Sequence, residues 1–165
     1  MSYTDASAAL SPCGQYRYTL RRWWDEARPF LIYIMLNPST ADAETDDATI
    51  RVCKGRARLL GYGGIVVANL FALRATNPQA LYSHGSPVSA YGEFGVNDGY
   101  IHQALQRTHK VICAWGTHGK LLNRGADMIT LLRVFGIGPM ALKLNRDGSP
   151  AHPLRIPYSQ PLVRI

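Results

Sequence analysis

The sequence predicts one α/β domain over residues 1–165, a three-layer α/β/α sandwich. Its central sheet is expected to have about four or five mainly parallel strands and an antiparallel strand near the N-terminus. Short apolar runs typical of buried strands alternate along the chain with segments of helical periodicity, and this alternation produces parallel pairing. The length and a hydrophobic content of 47 % suit a single core. We expect residues 1–12 to be a flexible N-terminal segment.

The first half of the chain contributes the strands expected at the centre of the sheet. Residues 16–23 alternate apolar and polar side chains, which predicts a half-exposed strand whose basic residues face water or a ligand. The continuous apolar runs at 30–36 and 65–70 predict strands that are buried on both faces. The helix between them is expected to begin after Asp46 or Asp47, where a carboxylate can cap it, and to end at a run of glycines.

The second half of the chain repeats the alternation of strands and helices. After a long loop with several prolines and glycines, the pattern predicts a helix at 97–108 and a strand at 110–115. Another helix is expected to begin after the stretch GTHG, and a short final strand is expected at 140–144. The prolines of the tail favour an extended chain after residue 146.

The predicted functional site is the edge of the sheet where the parallel strands end. Ligands of such folds bind beyond the carboxyl ends of the strands. We therefore expect the loops after Leu36, Leu70, Trp115 and Leu144 to line one crevice.

Asn37 and Pro38 end the first of these strands, in the stretch IMLNPSTAD. Pro38 cannot donate to a sheet ladder and keeps the preceding residue extended, so the Asn37 carboxamide is expected at the crevice. A carboxamide can hold a water molecule, a base edge or a ribose hydroxyl. An Asx-type turn, in which Asn37 bonds only to local backbone, is the structural alternative.

Hydroxyl and carboxylate groups follow in the same loop. Ser39 and Thr40 are predicted to contact the substrate, as are Asp46 and Asp47, which approach a helix N-terminus that attracts anions such as phosphate. Asp42 is a candidate general base or, like Asp46, a Mg²⁺ ligand. One helix cap and several solvated acids would explain the same residues without a function.

The ends of the next two predicted strands add aromatic and cationic groups. Asn69, Phe71 and Arg74 follow one strand, and Trp115 and Gly116 follow the other. An aromatic face can stack on a base while a guanidinium group meets a phosphate. Burial of the two aromatic side chains in the core is the alternative interpretation.

His152 lies among prolines in the irregular segment SPAHPL. Its imidazole can donate a hydrogen bond to an oxygen atom that gains negative charge during a reaction. The alternative is a histidine that caps a backbone carbonyl. Neither the histidines nor the three cysteines have the spacing of a metal site, so we predict no metal and no cofactor.

The excess of basic residues predicts a polyanionic partner, which we expect to be DNA. Eighteen Lys and Arg residues against eleven Asp and Glu residues give a net charge of +7. Arg51, Lys54 and Arg58 line one face of the first predicted helix and are candidates for contacts with the nucleic-acid backbone. No apolar run reaches the roughly 20 residues of a membrane span, and the cysteines lack a disulfide pattern, so we expect a cytoplasmic protein without a membrane partner.

Six segments within about residues 13–156 resemble an uncharacterised bacterial and phage family of unknown function that carries an LNPSTAD motif. The segments are YRYTLRRWW, IMLNPSTAD, DDATIR, VVANLFALRAT, ICAWG and GSPAHPL. More distantly, the chain resembles the uracil-DNA glycosylase superfamily, in which a first motif ending in Asp-Pro or Asn-Pro closes a strand and a late motif begins with His-Pro. Residues 36–38 and 152–154 look like these two motifs. This resemblance implies that Asn37 positions an attacking water and that His152 donates to the oxygen of the leaving base.

Three functional hypotheses follow. The leading one is an enzyme that acts on a base flipped out of DNA, by N-glycosidic cleavage or by modification of the base. The second is a metal-dependent enzyme that acts on a free nucleotide or another phosphorylated metabolite through Asp42 or Asp46. The third is a non-catalytic module that recognises a base or a nucleic-acid end.

Overall fold

A computed structural model describes residues 5–93, 95–108 and 110–165 as an α/β fold. The strands are β1 (Asp5–Leu10), β2 (Arg17–Trp23), β3 (Phe30–Met35), β4 (Gly64–Asn69), β5 (Val111–Ala114), β6 (Met140–Ala141) and β7 (Val163–Arg164). The helices are α1 (Ala48–Leu59), α2 (Ala80–Ser83), α3 (Val96–Leu105) and α4 (Arg124–Val134), with a 3-10 segment at Thr117–Asn123. In this part of the chain, no helix is long and apolar enough to cross a membrane.

The sheet is mixed and has the strand order β1-β2-β4-β3-β5-β6-β7. β3 pairs in parallel with β4 and β5, and β5 pairs in parallel with β6. The pairs β1/β2, β2/β4 and β6/β7 are antiparallel. In the described residues, four parallel strands, β4, β3, β5 and β6, form the centre of the sheet, and β2 is the expected antiparallel neighbour. The expectation of a mainly parallel sheet is not met, because the further antiparallel strands β1 and β7 make the seven-stranded sheet mixed.

Residues 5–10 form the edge strand β1, although the sequence predicted a flexible segment at 1–12. β1 pairs with β2, with Asp5 opposite Trp23, and the Asp5 carboxylate lies 3.5 Å from the Arg21 guanidinium group. The segment DASAAL has mostly small side chains, so it shows no clear hydrophobic alternation even though its backbone completes a hairpin. Residues 1–4 lie outside the described residues.

The central strands separate two hydrophobic cores, one on each face of the sheet. Phe30, Ile32 and Ile34 of β3 belong to the larger core, which also includes buried residues of α3 and α4. Leu31 and Tyr33 belong to the other core, which α1 covers. Both faces of β3 are therefore shielded from water, which explains why its sequence is continuously apolar.

Local capping chemistry sets the helix boundaries. The Asp47 side chain caps α1 by accepting a hydrogen bond from the Ile50 backbone N–H at 2.9 Å. The last helix begins later than the GTHG stretch predicted, because residues 117–123 form the 3-10 segment. Leu122 and Asn123 have positive φ angles at its end, and α4 starts only at Arg124.

The carboxyl ends of β3, β4, β5 and β6 lie at one edge of the sheet, and backbone hydrogen bonds join the loops that leave them. The Ala75 N–H donates to the Pro38 carbonyl at 2.9 Å, and the Gly116 N–H donates to the Pro150 carbonyl at 2.8 Å. The loop after β3 is thereby connected to the loop after β4. The loop after β5 is connected in the same way to the C-terminal segment.

Gly116 provides a test of this edge, because its φ of 72° and ψ of −168° form a combination that essentially only glycine adopts. We expect Gly116→Ala to lower the free energy of unfolding by about 1–3 kcal/mol, measured by urea denaturation. Gly99→Ala is the control, because Gly99 lies inside α3 and an added Cβ would meet nothing within 4 Å. That change should raise stability by about 0.5–1 kcal/mol. Equal effects of the two substitutions would contradict the backbone conformation at Gly116.

Candidate functional site

A cavity of about 690 Å³ opens at the carboxyl edge of the parallel strands. Its walls come from the ends of strands, the first turn of α1 and the C-terminal segment. The lining side chains with polar groups are Arg17, Asn37, Ser39, Asp47, Thr49, Thr76, Trp115, Thr117, His118, Lys143, Asn145 and His152. A volume of this size is typical of sites for small organic ligands.

Backbone carbonyls fix the orientation of the Asn37 carboxamide in this cavity. Asn37 Nδ2 donates to the carbonyl oxygens of Ala75 at 2.8 Å and Pro38 at 3.1 Å, and it lies 3.3 Å from that of Leu73. A reversed amide would place Oδ1 against three carbonyl oxygens, so the network assigns the nitrogen to this side. Oδ1 accepts no hydrogen bond from any described residue, which leaves an acceptor available to a ligand.

A backbone contact also fixes the tautomer of His152 at the cavity mouth. The Leu154 N–H donates to His152 Nδ1 at 3.2 Å, so the neutral imidazole carries its proton on Nε2. His152 is exposed overall, but the surrounding cavity wall partly removes its imidazole from water. This desolvation lowers the pKa of His152 below its usual value, and the Asp47 carboxylate opposes the effect. Nε2 has no hydrogen-bond partner among the described residues. At neutral pH His152 therefore presents an uncharged N–H donor.

The cavity brings together the two motifs that lie near opposite ends of the sequence. Asn37 and His152 both line it, as do Ser39, Asp47 and Gly116 of the predicted substrate contacts. Trp115 also lines the cavity but is 5 % exposed and belongs to the larger core. Trp115 is therefore both a core residue and part of the cavity wall.

Arg17 is a cavity residue that sequence reasoning did not single out. It is 2 % exposed, and its Nη1 donates to the Ala41 carbonyl oxygen. Burial lowers the pKa of Arg17 to about 10, so the group stays protonated at neutral pH. The available signal was the alternation in residues 16–23, which predicted basic residues that face water or a ligand.

Three residues predicted after β4 lie outside the cavity. Asn69 and Phe71 are fully buried, and Phe71 belongs to the larger core, so the prediction that they line the crevice is wrong. The Phe71 N–H donates to the Leu36 carbonyl at 2.9 Å. This hydrogen bond holds the start of the loop after β4 against the end of β3. Arg74 donates instead to the Gly14 carbonyl at 3.2 Å.

The loop after β3 contributes fewer cavity residues than predicted. Pro38 is buried, Thr40 is exposed, and neither lines the cavity. Asp42 Oδ1 accepts the backbone N–H groups of Glu44 and Thr45 at 2.9 and 2.8 Å, and these bonds lower the pKa of Asp42. Because Asp42 forms a turn outside the cavity wall, the geometry does not support it as a general base.

Asp46 and the basic face of α1 are engaged with each other. The Asp46 carboxylate lies 2.8 Å from Arg22 Nε and 2.5 Å from Lys54 Nζ, and Asp46 does not line the cavity. Lys54 therefore neutralises a half-buried carboxylate, and its contact with a nucleic-acid backbone stays a prediction. Arg51 is exposed, although it donates to the Asp46 carbonyl at 2.7 Å. The Arg58 guanidinium group stacks 4.2 Å from the Trp24 ring centroid.

Further cavity residues lie in the loops that follow two of the parallel strands. Lys143 and Asn145 follow β6, which ends at Ala141 and not at residue 144 as expected, and His118 of the GTHG stretch follows β5. The His118 Nδ1 and the Tyr82 hydroxyl are 2.9 Å apart, which links the 3-10 segment to α2. Their positions directly after strand ends were the signal that could have identified them. Within the described residues, no group of three His, Cys, Asp or Glu side chains is placed to hold a metal ion.

Comparison with known proteins identifies a family whose function is unknown. The model of a family described as a protein of unknown function, DUF1643, matches residues 17–154. The chain belongs to this family. The DUF1643 region begins at Arg17 and ends at Leu154, so it includes Asn37 and His152, and the expectation of a family of unknown function is confirmed. No curated protein and no solved structure matches the chain.

The His152 site predicts an unusual titration. We expect an NMR titration of the His152 imidazole to give a midpoint below the ordinary value of about 6.5, because desolvation disfavours the charged form. Asp47→Asn should lower the midpoint further, since it removes the opposing charge while asparagine still caps α1. Asp147→Asn, at an exposed position outside the cavity, should leave it unchanged.

The same shift predicts the sign of the pH dependence of stability. Since the unfolded chain takes up this proton first, the His152 contribution to the free energy of unfolding should fall as the pH drops below about 6.5. A His152 midpoint at or above that value would contradict the account.

Proposed function

We propose that this protein acts on a base turned out of DNA into the cavity, with a fold and mechanism like those of the uracil-DNA glycosylase superfamily. The reaction is N-glycosidic cleavage or modification of the base. One observation carries the proposal. Asn37 Oδ1 and the His152 Nε2–H belong to one cavity and are a free acceptor and a free donor with respect to the described residues.

In the cleavage reaction, Asn37 holds the attacking water. Its Oδ1 accepts a hydrogen bond from the water, and the carbonyl contacts to Nδ2 prevent the amide from turning. The water oxygen bonds to the sugar C1′, the bond from C1′ to the base nitrogen breaks, and its electron pair leaves with the base. The water proton is lost to solvent, because a carboxamide is too weak a base to take it.

His152 stabilises the negative charge that accumulates on the leaving base. A neutral Nε2–H donates to the base oxygen without giving up its proton, and this interaction strengthens as the bond to the sugar breaks. The lowered pKa of His152 keeps the imidazole in this neutral form. The fixed Nδ1 contact keeps the proton on the nitrogen that the reaction needs.

Basic residues beside the cavity supply the contact surface for DNA. Lys143 lines the cavity and is exposed, and Arg146 and Arg155 are exposed in neighbouring loops. Arg155 directly follows the cavity residue Leu154 and has a φ of 69°, which is uncommon for a side chain of this size. These three side chains are more accessible to a phosphate backbone than the ion-paired Lys54.

A second candidate is an enzyme on a free nucleotide or another phosphorylated metabolite. The buried Arg17 guanidinium group favours it, because an anion inside the cavity would neutralise that charge. A non-catalytic module for base recognition would use the same groups, and product formation separates it from both enzymes.

The deciding experiment is mass spectrometry of small products after incubation with single- and double-stranded DNA that carries normal, deaminated and hypermodified bases. We expect wild type to release a free base or a modified base. Asn37→Ala and His152→Ala should each reduce the rate by about 100-fold or more, the usual effect of losing one preorganised polar contact. His102→Ala and Gln106→Ala are matched controls, because these residues form an exposed imidazole and amide pair at the C-terminal end of α3.

The outcomes distinguish the candidates. Turnover that persists in Asn37→Ala and His152→Ala would exclude the proposed mechanism. Turnover of free nucleotides alone would support the second candidate. Base-dependent binding without any product would support the recognition module.

A further inference from the structure

Arg17 is a buried cation whose hydrogen-bonding capacity is largely unused. A guanidinium group has five N–H donors, yet the guanidinium group of Arg17 makes one hydrogen bond within the described residues, from Nη1 to the Ala41 carbonyl. Its buried Nε has no partner there, and no described carboxylate forms an ion pair with it. Burial of a charged group without partners is costly. The Asp47 and Asp42 carboxylates favour the charged form of Arg17, but burial outweighs them and lowers its pKa, so the described residues offset the cost of this buried charge only in part.

Two other buried arginines of the same chain show how this fold otherwise satisfies a guanidinium group. Arg22 is fully buried, ion-pairs with Asp46 and donates to the Arg21 and Asp42 carbonyls. Arg56 is 2 % exposed, and its two Nη atoms donate to the carbonyl oxygens of Ile156, Pro157, Tyr158 and Gln160, although its Nε, like that of Arg17, has no partner in the described residues. Neither of these two arginines lines the cavity, whereas Arg17 does. Of these three buried arginines, Arg17 has the fewest hydrogen-bond partners, and it is also the one that lines the cavity.

The surroundings of Arg17 favour an anion at the same place. The first turn of α1 lines the cavity through Asp47, Thr49 and Ile50, and a helix N-terminus attracts negative charge. Lys143 adds a second cation to the wall. Asp47 is the one acidic residue in the lining, and its Oδ1 already caps α1. The lining therefore has more positive than negative charge, together with neutral hydroxyl donors such as Ser39 and Thr49.

We propose that the cavity binds a phosphate group of its ligand at Arg17, beside the N-terminus of α1. A phosphate oxygen pair matches the planar donors of a guanidinium group, and further oxygens can accept from hydroxyl and backbone donors. On the proposed function, on which this step rests, the ligand is a nucleotide, either as a free phosphomonoester or as part of a DNA strand, and not a free base or nucleoside. This site does not depend on the proposed reaction, because a binding module would need it equally.

Titration calorimetry at low ionic strength tests this assignment with matched pairs of probes. The four normal 2′-deoxynucleosides and 2′-deoxyuridine are each compared with their 5′-monophosphates, and inorganic phosphate and a short single-stranded oligonucleotide are added as further probes. We expect at least one monophosphate to bind wild type ten-fold or more tightly than its nucleoside. If the oligonucleotide alone shows binding that depends on Arg17, the phosphate belongs to a DNA strand. Arg17→Gln should abolish the difference, and Arg133→Gln, an exposed charge on α4, should retain it.

A second measurement covers the case in which Arg17→Gln fails to fold. In wild type, the side-chain NMR resonance of Arg17 Nε–H should shift in a saturable way with the monophosphate or the oligonucleotide. Three results would overturn the assignment. The first is equal affinity for nucleosides and monophosphates together with oligonucleotide binding that does not depend on Arg17. The others are absence of binding by every probe and an Arg17 resonance that does not shift at saturation. If phosphate binding is observed but no base is released or modified, the proposed reaction is excluded and the phosphate site is supported.

Discussion

Buried guanidinium groups hold the irregular segments on which the candidate site is built. Arg22 joins β2 to the loop before α1, through the Asp42 carbonyl at 2.5 Å and the Asp46 carboxylate at 2.8 Å. Arg56 of α1 binds four carbonyls of residues 156–160 and so anchors the chain that follows His152. A hydrogen bond to a charged group contributes about 1.5–3 kcal/mol. These contacts replace the regular ladders that the two segments lack, and they hold the chain before α1 and the chain after His152.

The two central side chains are oriented by backbone groups and not by each other. Carbonyl oxygens hold the Asn37 amide nitrogen, and a backbone N–H holds His152 Nδ1. Each residue consequently presents one defined polar atom, an acceptor in one case and a donor in the other. Such preorganised dipoles stabilise developing charge without having to reorient during the reaction. Arg17 adds a fixed positive charge to the same cavity, which is suited to a ligand that enters with an anionic group.

The location of the candidate site could be predicted from the order of strands and helices. Its exact residues could not, because they depend on contacts between side chains that are distant in sequence. Because parallel strands end at one edge, the sequence alone brought Asn37, Trp115 and Gly116 to one crevice. The distant HP motif located His152, although periodicity could not. The sequence could not show that Lys54 pairs with Asp46, or that the loop after β4 turns Phe71 into the core, because both depend on contacts formed only in the folded chain.

Local sequence patterns also failed to predict the outer strands of the sheet and the role of Arg17 in the cavity. β1 has small side chains and β7 has two residues, so neither carries a hydrophobic period that predicts a strand. Alternation in β2 assigned its basic residues to a face turned toward water or a ligand. It could not reveal that Arg17 is buried, donates to the Ala41 carbonyl and lines the cavity.

The central claim is that Asn37 and His152 act on one ligand in one cavity. The most direct test follows the NMR signals of the Asn37 side-chain amide and the His152 imidazole while single-stranded DNA with normal bases and deoxyuridine is added. We predict that both signals shift along one saturation curve with a common Kd, while those of the His102 and Gln106 pair at the end of α3 do not shift. If only one of the two residues responds, or if neither does at saturating DNA, the claim is contradicted.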